Sequence, residues 1–156
     1  MKRKIIGILC IAESIGAAIV INKLWKQLKK EKKLADKHLE LFLTMNQWVK
    51  VKQIGKDLSS YFEREGYREI AIYGMHYAGE TLVEELMGSD IIIKYAIDQK
   101  MREVLSGVHI VTPDSDLEEV DAIVVTPISA FGEIKQTLEK KVDCPIISLE
   151  DVLYLV

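Results

Sequence analysis

Glu69-Ile-Ala-Ile-Tyr-Gly74-Met75-His76-Tyr77-Ala78-Gly79-Glu80 sets a short apolar run against a glycine-punctuated turn and the start of an amphipathic segment. Ile70 to Tyr73 reads as a buried strand, because an apolar run without alternation fits a strand covered on both faces. Ala78 to Met87 follows with Leu82, Val83, Leu86 and Met87 at helical spacing. A strand fed through a tight turn into a helix is the first half of a parallel β-α-β unit. Working outward, Ile91–Ile97, Val108–Val111, Ala122–Val125 and Pro145–Leu149 are four further apolar runs. Ser129–Val142 reads as a helix with Phe131, Ile134, Leu138 and Val142 on its inner side. Only a brief helix fits between Asp98 and Val108, and the acidic stretch Asp114 to Asp121 is most simply a solvated turn. Continuous apolar strands separated by helices predict an α/β domain with a five-stranded parallel sheet. Right-handed crossovers give it the order 3-2-1-4-5.

Upstream of this domain, residues 67–156, lie two other regions. Asn22 to about Gly66 has no proline and only Gly55 as an interior breaker, so it reads as a helical stem over 23–66. Leu34, His38, Leu41, Met45 and Trp48 recur at spacings of four, three, four and three, a short heptad seam. That seam either pairs two chains as a homodimer through the stem, or packs its last turns on the globular domain. Residues 1–22 contain Ile5 to Ile21, seventeen residues with one charge, Glu13. Such a run just reaches across a bilayer core at about 1.5 Å per residue. Glu13 costs roughly 3 kcal/mol at the centre of a span, against about 3 to 5 returned by nine Ile, Leu and Val residues. A transmembrane helix is the expectation. A core helix of a soluble protein and a cleaved signal peptide are its rivals, the latter opposed by the lysines that follow.

The full chain of 156 residues carries a net charge of −3, which argues against nucleic acid as a partner. The charge is uneven. Residues 1–33 hold nine Lys or Arg against Glu13 and Glu31, so the chain from Leu34 onward is distinctly acidic. A basic block beside an apolar run points to a membrane surface. Six lysines (Lys23, Lys26, Lys29, Lys30, Lys32, Lys33) follow the span, against Lys2, Arg3 and Lys4 before it. The positive-inside tendency makes this a single-pass protein of the cell membrane with a cytoplasmic globular domain. Cys10 and Cys144 form no framework, and the histidines at 38, 76 and 109 are scattered, so neither a disulfide scaffold nor a metal site is expected.

The candidate site lies where the first two strands end. Gly74 permits the tight turn, Gly79 lets the helix approach the strand, and the amides of Met75, His76 and Tyr77 introduce a helix start that suits an anion. Asp98 stands twenty-four residues after Gly74, placed to accept hydrogen bonds from ribose hydroxyls. Thr126 and Pro127 end the fourth strand on the same crevice. Each also has a plainer role: the glycines serve any strand-to-helix turn, Asp98 can cap the helix that follows, and Thr126-Pro127 can simply terminate a strand.

On the residues Ile72-Tyr-Gly-Met-His-Tyr-Ala-Gly79, the chain from Tyr67 to Val156 resembles the Rossmann-type NAD(P)-binding superfamily. It resembles more narrowly the small nucleotide-sugar-epimerase-like domains associated with polysaccharide biosynthesis, which carry an IYGxGxxG turn. The resemblance implies NAD or a nucleotide-sugar as ligand, with a site at Gly74, Met75, His76, Tyr77, Gly79, Asp98, Thr126 and Pro127. His76 departs from the pattern by replacing a glycine. It either blocks the pyrophosphate or contacts a phosphate. No tyrosine has a lysine four residues later, and no nucleophile-elbow or P-loop pattern occurs, so the enzymes of the family are not matched in their catalytic groups. The expectation is a non-catalytic, membrane-tethered nucleotide-binding module. The alternatives are a ligand-free scaffold and an enzyme subunit completed by a partner chain.

Overall fold

The computed structural model describes the backbone of residues 2–99 and 107–156, and within the first helix it leaves the side chains of residues 2–15 and 17 undescribed. In chain order the elements are α1 (Lys2–Gln53), α2 (Ser59–Glu65), β1 (Glu69–Tyr73), α3 (Tyr77–Leu86), β2 (Ile92–Ile97), β3 (Ile110–Val111), β4 (Ala122–Val125), α4 (Phe131–Leu138), β5 (Ile146–Ser148) and α5 (Leu149–Leu155). A 3-10 turn, Ile128–Ala130, leads into α4. The brief helix expected after Asp98 falls on residues 100–106, outside the described residues.

All four strand pairings are parallel, and the sheet order is β3-β2-β1-β4-β5. The continuous apolar strands dictate this, since every residue of β4 is buried and so are Ile70, Ala71 and Ile72 of β1. Alternate residues serve two cores. Ile70, Ile72, Ala96 and Val124 face one with Phe62, Leu82, Leu86 and Leu149. Ala71, Tyr95, Ile97, Ile123 and Val125 face the other with Leu138, against which Phe131, Ile134 and Val142 also pack. The sheet is therefore a middle layer covered by α2, α3 and α5 on one face and α4 on the other.

Two compact units divide between Leu39 and Glu40, and α1 contributes to both. Within the unit Glu40–Val156, the end of α1 belongs to the core: Trp48 is 4% exposed and Val51 3%, with Leu41 and Met45 packed beside them. Three members of the heptad seam, Leu41, Met45 and Trp48, are therefore covered by the chain's own α/β core, whereas Leu34 and His38 are exposed. Among the described residues no helix is long and apolar enough to cross a membrane; most side chains of the run Ile5–Ile21 lie outside those residues.

Several boundaries differ from the sequence reading: β3 is Ile110–Val111 where Val108–Val111 was expected, and α4 is Phe131–Leu138 where Ser129–Val142 was expected. Gly55 is a terminator instead of an interior breaker: at φ 75°, its N–H donates to Lys52 O while Lys56 N–H donates to Val51 O. That pair of bonds is the Schellman arrangement, repeated at Gly66. The last strand stops at Ser148, whose hydroxyl accepts from Glu150 N–H and opens α5. Leu149, Val152 and Leu153 of that helix are buried.

Candidate functional site

The end of β1 delivers the chain into a turn that only glycine can make. Gly74 sits at φ 96°, and a Cβ there would lie 2.7 Å from Thr126 Oγ1 and 2.9 Å from Pro127 Cδ. Gly79 has an ordinary helical backbone, but a Cβ on it would stand 2.2 Å from the carbonyl oxygen of Gly74. These contacts fix the first turn of α3 against the end of β1 and bring the loop after β4 onto the same spot.

Hydrogen bonds tie the three strand ends together. Gly74 N–H donates to Ile97 O at 2.8 Å, and Thr126 N–H donates to Tyr73 O at 3.0 Å. The buried Thr126 hydroxyl donates to Gly74 O at 2.8 Å. Asp98, at the end of β2, accepts the N–H of Met75 on Oδ2 at 2.8 Å, and the Met75 side chain is buried beneath the turn. The expected residues Gly74, Met75, Gly79, Asp98, Thr126 and Pro127 are thus brought together at the carboxyl edge of the sheet.

His76 and Tyr77 lie at the surface of that edge, with rings packed edge-on at 4.2 Å. His76 precedes the helix at φ −104°, ψ −166°, an extended conformation open to any residue. A side chain at this position costs no backbone strain. The first helical bond runs from Glu80 N–H to His76 O at 2.9 Å, so the amides of Tyr77, Ala78 and Gly79 precede the helical ladder.

Three further residues belong to this edge and were not picked out in the sequence. Burial raises the Tyr73 phenol above its ordinary pKa, with Asp98 and Asp114 adding to the effect. Asp98 and Asp114 therefore both lie near the Tyr73 phenol. Glu40, on α1, accepts the N–H of Ser129 on Oε1 at 3.0 Å. Their separation of 89 positions left no local signal.

At the opposite, amino edge, Asp121 accepts the N–H groups of Arg68 and Glu69, both at 2.7 Å. Those two bonds lower its pKa. Part of the stretch read as a solvated turn is therefore a latch on the start of β1. A cleft of about 390 Å³ also opens at this edge, between Leu117–Val120 and Lys141–Cys144. Beside it, burial pushes the Tyr95 phenol up to about 12, and its hydroxyl donates to Glu118 O at 2.8 Å. Burial also raises the Cys144 thiol, which leaves it protonated near neutrality and poorly nucleophilic. Among the described residues no group of three His, Cys, Asp or Glu side chains is arranged to hold a metal ion.

Comparison with family models, curated proteins and solved structures finds no match to this chain.

Proposed function

We propose that the chain is a membrane-tethered, non-catalytic module that binds a nucleotide-containing ligand, NAD or a nucleotide-sugar, at the carboxyl edge of its sheet. The observation that carries this reading is the convergence of the Gly74–Gly79 turn, the leading amides of α3 and Asp98 beside the point where the strand order reverses. Open parallel sheets take their ligands at such a switch point. In this reading the phosphates meet the amides from Tyr77 onward. Asp98, which also accepts Met75 N–H, takes the ribose hydroxyls, since a carboxylate can accept from several donors. His76 and Tyr77 form the exposed rim.

The tether is a single span over Ile5–Ile21, with the lysines after it holding the globular domain on the cytoplasmic side. The site's likeness to polysaccharide-associated nucleotide-sugar domains makes an accessory role in cell-envelope polysaccharide synthesis the natural setting.

A ligand-free scaffold is the second reading, and a specific observation favours it. Thr126 and Pro127 against Gly74, the Gly74 carbonyl against Gly79 and the Met75–Asp98 bond account for both glycines and the carboxylate without any ligand. Thermal-shift measurements on the full-length chain in mild detergent, with NAD, NADP and nucleotide-sugars, separate the two. A ligand at 100 times its dissociation constant adds about 2.7 kcal/mol of stability. No shift with any of them favours the scaffold.

A further inference from the structure

The α/β core covers one side of the end of α1 and leaves another side bare. Phe42 is 65% exposed and Val49 51%, seven residues apart, while Trp48 next to Val49 is 4% exposed. Counting back along the same helix from Phe42, exposed Leu39, Leu28, Trp25 and Ile21 fall on the same alternation of three and four residues, with Ala35 and Lys32 at the intervening positions. This is a second heptad register, distinct from Leu34, His38, Leu41, Met45 and Trp48. Within the unit Glu40–Val156, the α/β core uses Leu41, Met45 and Trp48 of the first register and leaves Phe42, Asn46 and Val49 of the second exposed.

We infer that this second register is the seam of a parallel coiled coil with another copy of the chain. A repeat of 3.5 residues keeps facing its partner only if the partner is itself a helix that supercoils with it. A flat bilayer surface requires no such repeat, and the stripe continues to Val49, where the other side of the helix is committed to the core. Two positions say which helix. Lys32 and Asn46 interrupt the apolar series at one of its two alternating positions, where a polar residue sets register and oligomer state. In a parallel, in-register pair Asn46 meets Asn46 of the other copy, and the two amides satisfy each other as donor and acceptor. Leu43, also exposed, flanks the same seam. The inference is independent of any ligand at the carboxyl edge.

Disulfide scanning in the full-length chain tests it. With Cys10 and Cys144 replaced by serine, single cysteines are placed at Lys37, Leu39, Phe42, Asn46 and Lys50 and exposed to mild oxidation in detergent. Leu39→Cys, Phe42→Cys and Asn46→Cys should cross-link efficiently, and Lys37→Cys and Lys50→Cys poorly. Light scattering of the parent chain should give a dimer. Phe42→Glu with Val49→Glu should weaken that dimer at least a hundredfold, while the far-ultraviolet spectrum stays unchanged. A monomeric parent chain, or cross-linking equally efficient at all five positions, overturns the inference. So does shielding of the cysteines that appears only when anionic vesicles are added, which assigns the stripe to a bilayer instead.

Discussion

Each edge of the parallel sheet carries a carboxylate that closes on backbone amides, and the two are used differently. Asp121 at the amino edge is exposed and accepts two strand amides, from Arg68 and Glu69. Asp98 at the carboxyl edge is half-buried and accepts the amide of Met75, inside a turn whose Gly74 abuts Thr126 and Pro127, whose Gly79 abuts the Gly74 carbonyl, and whose helix begins with amides ahead of its first bond. The amino-edge carboxylate holds a strand in register. The carboxyl-edge carboxylate holds the strand-to-helix turn at which the ligand is proposed to bind. The contrast lies less in residue type than in what surrounds each group.

The strongest way to break that contrast is Gly79→Ala. Its Cβ would collide with the Gly74 carbonyl, a backbone atom with little room to move. A loss of about 3 kcal/mol is expected, lowering the melting temperature of the α/β unit by about 10 °C. A thermal scan showing wild-type stability would mean that the turn is looser than described. Thr126→Val sharpens the picture at smaller scale by keeping the shape and removing the donor to Gly74 O. About 1 kcal/mol should be lost in urea unfolding.

At the other edge, Asp121→Asn should cost less than about 1 kcal/mol, as expected for an exposed group. Its effect depends on pH. The Asp121 pKa is lowered in the fold, so its stabilisation is full above the ordinary carboxylate range and disappears as pH falls through the lowered value. Unfolding curves of the two proteins should differ at pH 7 and converge in acid. The smallest effect belongs to His76→Gly. Because His76 is extended and exposed, ligand affinity should change by less than about threefold, readable by calorimetry.

Much of the sheet was legible because a parallel sheet leaves uninterrupted apolar runs, and Gly74 and Gly79 mark the strand-to-helix turn by excluding any Cβ. The end of the chain was harder to place. Leu149, Val152 and Leu153 bury one face of a seven-residue helix, too short for its period to stand apart from the strand before it. Gly55 and Gly66 make the same cap, yet only Gly66 is followed by a strand that announces an ending. The heptad Leu41, Met45 and Trp48 was visible as a pattern, but periodicity alone does not say whether a second chain or the chain's own core covers it. Asp121 and Glu40 were beyond local reading, since each meets its partner more than fifty residues away. For the candidate site, the structure brings Gly74, Met75, Gly79, Asp98, Thr126 and Pro127 together, and the bonds and contacts among them serve the ligand-binding and the scaffold reading alike.

Calorimetric titration of NAD and of a nucleotide-sugar into the full-length chain in detergent, comparing wild type with Asp98→Asn and Asp98→Ala, tests the central claim most directly. Asp98→Asn keeps an oxygen for Met75 N–H and removes the charge that would hold a ribose, whereas Asp98→Ala removes both. Saturable binding of one ligand to wild type, weakened roughly tenfold or more by each substitution, is the predicted result. Absence of heat with every ligand in the wild type, or binding that neither substitution changes, would contradict a nucleotide site at the carboxyl edge.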